Sequence, residues 1–239
     1  MDIRKIRAAV RTFLVFVVVA LSSSGVEAVV IKGKIELSPP PPRQARIAAL
    51  YPGKVIKPSS TSEKSVSRSA AVFLVPIGGQ IPNLNPERYR MDQLDLSFVP
   101  HILAIPVGST VDFYNLDPIF HNVFSFSKPK KFDLGRYPQG QSKSATFEKP
   151  GLIKVFCEIH SDMKAYILVL KTPYVAYPDR EGEFIFRDIP TGEYFLRVWQ
   201  ETGPAYQERI EVPAQDTFYL QEKELAPVTD IRGLFELNY

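Results

Sequence analysis

LDLSFVPHILAIPVGSTVDFYNLD, residues Leu94–Asp117, reads as a strand, a bend at Pro100, a second strand, a turn at Gly108-Ser109 and a third strand. Its apolar residues come in short runs or alternate with polar ones, which is the pattern of pleated strands and not of helices. HNVFSF (His121–Phe126) continues the pattern, SKSATFEKPGLIKVFC (Ser142–Cys157) adds two strands around a Lys149-Pro150-Gly151 turn, and KAYILVL (Lys164–Leu170) closes it. Seven or so short strands in about 80 residues fit a small Greek-key sandwich.

The same texture extends outward. On the N-terminal side lie three strand candidates, VVIKGKIEL (Val29–Leu37), ARIAALYPG (Ala45–Gly53) and SAAVFLVPI (Ser69–Ile77), with an extended Pro39–Pro42 run between the first two. KVIKPSSTSEKSVSRSA (Lys54–Ala70) is poor in apolar residues and rich in Ser and Lys, and it is expected to be a mobile loop. On the C-terminal side EFIFRDI (Glu183–Ile189) and EYFLRVW (Glu193–Trp199) alternate around Pro190-Thr191-Gly192, a hairpin signal, and IEVPAQDTFYL (Ile210–Leu220) follows. With 45% hydrophobic residues and 21 prolines in 239, the chain can fold a sizeable core but favours short strands over helices. The expected fold is all-β, a Greek-key sandwich over residues 91–171 flanked by β segments at 29–90 and 172–225, with a tail at 226–239.

The N-terminus has the features of an export signal. Arg4, Lys5, Arg7 and Arg11 precede the apolar TFLVFVVVAL (Thr12–Leu21), and SSSGVEA (Ser22–Ala28) supplies small residues before a cut after Ala28. The apolar run is about half the ~20 residues a spanning helix needs, so no membrane span is expected once residues 1–28 are removed. That removal leaves 25 basic against 24 acidic residues, a net charge of +1, with no basic run that would point to nucleic acid.

One cysteine, Cys157, is present, so no internal disulfide can form, and a free thiol outside the cytoplasm calls for burial or a ligand. It opens CEIHSDM (Cys157–Met163), where His160 and Met163 follow at intervals of three. Two of the three histidines, His121 and His160, flank or join this cluster. A thiolate and two imidazoles with a weak axial thioether are the ligand set of a type 1 copper centre, and a loop plus one remote strand residue can preorganise it. Taken singly, each residue has a plainer role: a buried inert cysteine, a core methionine, a surface histidine. Zinc is a rival, with Asp162 or Glu158 as a fourth ligand, and Cys157 with His160 forms a conceivable nucleophile and base. No HExxH, GxSxG or phosphate-binding glycine loop accompanies them, and an enzyme is not expected. Asn122 is placed to lock the ligand loop from outside the ligand set. His101 shares no spacing with the cluster and is assigned a structural or exposed place, and Trp199 a core one.

IPVGSTVDFYNLD, HNV and KPGLIKVFCEIHSDMKAYILVL together resemble the cupredoxins, the plastocyanin and amicyanin group, and the Cys-x2-His-x2-Met loop resembles the short amicyanin type. PHILAIPVGSTVDFYNLDPIFHNVFSF followed by FDLGRYPQGQS is similar to bacterial cupredoxin-domain proteins labelled methylamine utilisation proteins. The resemblance covers about residues 90–171 and implies one type 1 copper held by His121, Cys157, His160 and Met163. It implies a blue copper protein passing single electrons between redox partner proteins in the periplasm. A copper acceptor, or an envelope interaction protein using the fold as a non-redox platform, is the alternative. FIFRDIPTGEYFLRVW (Phe184–Trp199) resembles the carboxypeptidase regulatory-like or transthyretin-like sandwich, which implies no catalysis of its own.

Overall fold

The computed structural model describes residues 15–16, 29–38, 69–78, 83–213, 219–220, 226–228 and 231–235. The segment expected to be an export signal, apart from Val15–Phe16, lies outside the described residues, as do the Pro39–Pro42 run, the strand expected at Ala45–Gly53 and positions 54–68 of the Ser/Lys-rich loop. The described residues are all-β, and no helix among them is long and apolar enough to cross a membrane.

The Leu94–Asp117 stretch folds as expected into strands that alternate between two sheets. One sheet has the order β10 (Ser142–Thr146), β7 (Thr110–Asn115), β4 (Arg88–Leu94) and β5 (Ser97–Val99). The other runs β6 (Ile102–Pro106), β12 (Lys164–Leu170), β11 (Gly151–Phe156), β8 (His121–Ser125) and β9 (Phe132–Tyr137). Alternating inward residues of both sheets, among them Met91, Phe113, Val123, Phe147, Ile153 and Ile167, close a buried core.

Strands before and after this sandwich share two further sheets. β2 (Val29–Lys34) pairs with β14 (Glu183–Ile189). β3 (Ala70–Pro76) pairs with β13 (Val175–Ala176) and β15 (Gly192–Gln200), followed across the sheet by β16 (Ala205–Val212) and β18 (Ala226–Val228). Two-residue strands β1 (Val15–Phe16) and β17 (Tyr219–Leu220) make a separate short ladder. The hairpin expected across Pro190-Thr191-Gly192 does not form: β14 and β15 lie in different sheets, so the turn carries the chain from one layer to the other. Phe184, Phe186 and Ile189 thereby face Tyr194, Leu196 and Val198 within one core. Two alternating strands can bury their apolar faces against each other across a sandwich as well as side by side, and the signal in sequence is the same.

Two unbroken apolar runs explain how the layers stack. AAVFLVP in β3 sends Val72 and Leu74 into the core shared with β2 and β14, and Ala71, Phe73 and Val75 to the opposite side. KAYILVL in β12 sends Ala165, Ile167 and Val169 into the β4–β12 core, and Tyr166, Leu168 and Leu170 outward against Phe73, Trp199 and Phe235. A strand covered on both faces loses its polar alternation, so each run marks the middle layer of a stack.

At the rim of this contact Glu201, whose side chain is 8% exposed, accepts hydrogen bonds from His101 Nε2 at 2.6 Å, Lys164 Nζ at 2.6 Å and the Tyr166 hydroxyl at 3.1 Å. Burial alone would raise the carboxyl, but Lys164 and His101 hold it below its ordinary value of 4.5. A depressed carboxyl stabilises the fold above its unfolded pKa, and that stabilisation is lost as pH falls through the folded value. Glu201→Gln is therefore expected to be less stable than wild type at about pH 7, with the gap closing below about pH 4.5 in urea unfolding at each pH.

Candidate metal centre

Three ligand-bearing residues converge where β8 begins and β11 ends. The two strands are antiparallel neighbours, with Phe124 opposite Phe156, so His121 at the head of β8 and Cys157 just beyond β11 come together. The chain then turns back into β12 through the Cys157–Met163 loop. The Cys157 N–H donates to the Met163 carbonyl at 3.2 Å and the Met163 N–H to the His160 carbonyl at 3.0 Å, so the loop's own backbone curls it around the site.

His121 Nδ1 lies 3.8 Å from Cys157 Sγ, His160 Nδ1 lies 3.6 Å from it, and the two Nδ1 atoms are 3.0 Å apart. Metal–nitrogen bonds of about 2.0 Å and a metal–sulfur bond of about 2.3 Å, opened to ~120°, put nitrogen and sulfur ~3.8 Å apart. The two nitrogen–sulfur sides are thus the length that a shared ion would give. The donor set, one sulfur and two nitrogens, suits a soft or borderline metal. His121 and Cys157 are buried, His160 is half-buried, and Met163, 1% exposed, sits in the same core cluster as Cys157.

The electrostatics favour a cation. Burial works against ionising Cys157, but the His121 hydrogen bond and the backbone N–H groups of Asn122, His160 and Ile159 bring its thiol below the ordinary value. His160 is held below the usual imidazole value by burial and then by His121, so its Nδ1 lone pair is available.

Asp117 completes the arrangement. Its Oδ2 lies 2.8 Å from His121 Nε2, which fixes the proton on Nε2 and leaves Nδ1 free to ligate. The same carboxylate, 5% exposed, accepts the Asp95 N–H at 2.8 Å and the Leu96 N–H at 3.0 Å. Asp95 and Leu96, with φ of 51° and 55°, form the two-residue turn between β4 and β5, so Asp117 ties that hairpin to the ligand ring. Burial opposes its charge, yet the His121 hydrogen bond and the turn N–H groups hold its carboxyl below the ordinary value. On the other flank Asn122 Oδ1 accepts the Glu158 N–H at 2.6 Å, while buried Gln93 donates to the Asn122 carbonyl at 3.1 Å and bridges the two sheets.

The structure thus brings His121, Cys157 and His160 together, places Met163 buried at the loop's return, and hydrogen-bonds Asn122 to the loop backbone. Glu158 pairs with Arg136 at 3.3 Å and Asp162 is exposed, and neither joins the ligand group. His101 bonds Glu201, and Trp199 packs on Tyr166 with ring centres 5.0 Å apart. Asp117 and Gln93 were not singled out from sequence. The signal for Asp117 was a carboxylate four residues before a ligand histidine, which in irregular backbone fixes no direction.

No family model matches the chain, and neither does any curated protein. Among solved structures it is similar to the copper-containing nitrite reductase of Thermus scotoductus SA-01, at 30% identity over 40% of this chain and 24% of that one, with a TM-score of 0.33. It is also similar to a purple cupredoxin from Nitrosopumilus maritimus, at 25% identity over 34% of this chain and 98% of that one, with a TM-score of 0.32. A reduced amicyanin variant is 22% identical over 38% of this chain and 96% of its own, with a TM-score of 0.33. The chain spans about a quarter of the nitrite reductase's length.

Proposed function

We propose that the chain is a cupredoxin-type copper protein that carries single electrons between partner proteins outside the cytoplasm. The observation that carries this reading is the triangle of His121 Nδ1, Cys157 Sγ and His160 Nδ1, with sides of 3.0–3.8 Å, held from behind by Asp117. His121, Cys157 and His160 would hold the ion, and buried Met163 would be its weak fourth ligand. Copper, when bound, supplies a one-electron couple. Zinc is disfavoured because the carboxylates that would complete its shell, Glu158 and Asp162, stand outside the group.

The protein's own part is to hold the ligands still. Cys157 is fixed by N–H groups, His121 by Asp117, and the loop by Asn122, so little rearranges as charge changes. The segments carrying the two histidines also carry exposed Leu116, Phe120 and Ile159, an apolar surface suited to brief partner contact. In this reading residues 1–28 direct export to the periplasm, 91–171 form the copper-bearing sandwich, and the strands of 29–90 and 172–225 form the sandwich beside it. The test is redox cycling of copper-loaded protein. A visible band near ~600 nm, from thiolate-to-copper charge transfer, should bleach on one-electron reduction and return on oxidation. Copper bound without reversible cycling would remove the carrier role and leave that of an acceptor.

A further inference from the structure

The end of the β4–β12 sandwich remote from the metal centre is basic and presents an exposed aromatic ring. His121 and Cys157 stand at one end of β8 and β11. The connection from β8 to β9, residues 126–131, and the turn before β11, residues 148–150, stand at the other. At about 3.3 Å per residue, five residues along β8 separate Phe126 from His121 by ~16 Å. The two connections are packed as one surface. Pro129 lies against Gly151, where a Cβ would come 2.5 Å from its ring, and Ser127 Oγ accepts the Lys154 N–H at 2.8 Å.

Phe126, 77% exposed, is the most exposed large apolar side chain among the described residues. Its ring meets Phe124 edge-on at 5.3 Å, and Phe124 in turn lies 5.8 Å from Phe156, so the exposed ring projects from a fixed aromatic base. Around it stand Lys128, Lys131, Lys149 and Lys154, all exposed, and half-buried Lys130. None of the five is ion-paired among the described residues, and Glu148 is the one carboxylate in the two connections.

Protein interfaces are depleted in lysine at their centres and gain most from aromatic rings seated in dry pockets. Here the composition is the reverse: unpaired lysines surround one projecting ring. That combination suits a bilayer of anionic lipids, where ammonium groups meet headgroup phosphates and the ring enters the headgroup and acyl boundary. We propose that this face docks the protein on an anionic phospholipid surface. Phe126 is the apolar anchor, and Lys128, Lys130, Lys131, Lys149 and Lys154 are the phosphate contacts. Docked this way, the metal centre points away from the bilayer. The inference does not rest on copper binding, and apo and copper-loaded protein should dock alike.

Sedimentation with large vesicles tests it, using the whole chain in every arm so that the apolar Thr12–Leu21 stretch is common to all. Vesicles of phosphatidylcholine with about 30% phosphatidylglycerol should bind at least about tenfold more tightly than phosphatidylcholine alone. Raising salt from about 0.05 M to about 0.5 M should abolish that difference. Each lysine is worth roughly fivefold near such a surface, so the double variant Lys130→Glu/Lys131→Glu should lose more than about tenfold. Lys128→Glu/Lys149→Glu, at two exposed positions, should lose as much, and Phe126→Ser should weaken binding without changing its salt dependence. Circular dichroism and unfolding midpoints should match wild type. Equal binding to both vesicle types, or charge-reversed variants binding as wild type does, would overturn the proposal. Salt-dependent retention on immobilised polyglutamate without vesicle binding would also overturn it, and would assign the face to an acidic protein.

Discussion

Asp117→Ala is expected to weaken metal retention about 10- to 100-fold and to lower stability by about 3–5 kcal/mol. Three donors depend on that carboxylate: the buried His121 Nε2–H and the half-buried N–H groups of Asp95 and Leu96. Truncation leaves all three without that acceptor, and a buried group left orphaned costs about 1–3 kcal/mol. The His121 ring is then free to turn or to carry its proton on Nδ1, the atom that would ligate in the proposed reading. Asp117→Asn separates the two contributions. It keeps an acceptor for part of the turn but removes a buried negative charge behind the ligand. Stability should largely return, while the reduction potential should rise, because the oxidised ion loses that charge's support. Chelator competition, urea unfolding and voltammetry read these outcomes. Wild-type metal retention in Asp117→Ala would show that the carboxylate serves the hairpin alone.

Phe73→Ala should cost about 3–5 kcal/mol, the range for an aromatic side chain removed from a packed interior. Phe73 is fully buried in the layer where β3 meets β6 and β12, and its ring stacks on Phe235 at 6.4 Å. Removing it opens a cavity between two sandwiches, not within one. Both should therefore lose stability, visible as a lower unfolding midpoint whether the probe is Trp199 fluorescence or the metal-centre absorption. A loss confined to one probe would mean that the layers fold independently. Against a typical total of about 5–15 kcal/mol, this is a change that partly unfolds a protein of ordinary stability.

The copper-ligand candidates were legible because they are rare. The chain's one cysteine, a histidine and a methionine within the seven residues Cys157–Met163, and His121 as one of only two other histidines, stand out against a background of Ser, Pro and Phe. The strands were legible for the same kind of reason, since alternation and turn residues are local. What required three dimensions is non-local. EFIFRDI and EYFLRVW carry alternation equally suited to a hairpin or to facing sheets, and which occurs depends on β2 and β3, more than 100 residues away in sequence, occupying the neighbouring positions. AAVFLVP and KAYILVL announced strands buried on both faces but not what covers them. The spacing of Asp117 four residues before His121 decided nothing, because its role depends on a positive-φ turn at Asp95-Leu96 folding under His121, and neither sequence distance nor residue type shows that.

Copper ligation by Cys157 is tested most directly by the optical and EPR spectra of copper-loaded protein beside Cys157→Ser. Serine keeps the approximate size and removes the thiolate. Wild type should show an intense band near ~600 nm and narrow copper hyperfine splitting, and the serine variant should lose both while its fold is unchanged by circular dichroism. A colourless copper-loaded wild type, or a band of the same intensity in Cys157→Ser, would contradict it.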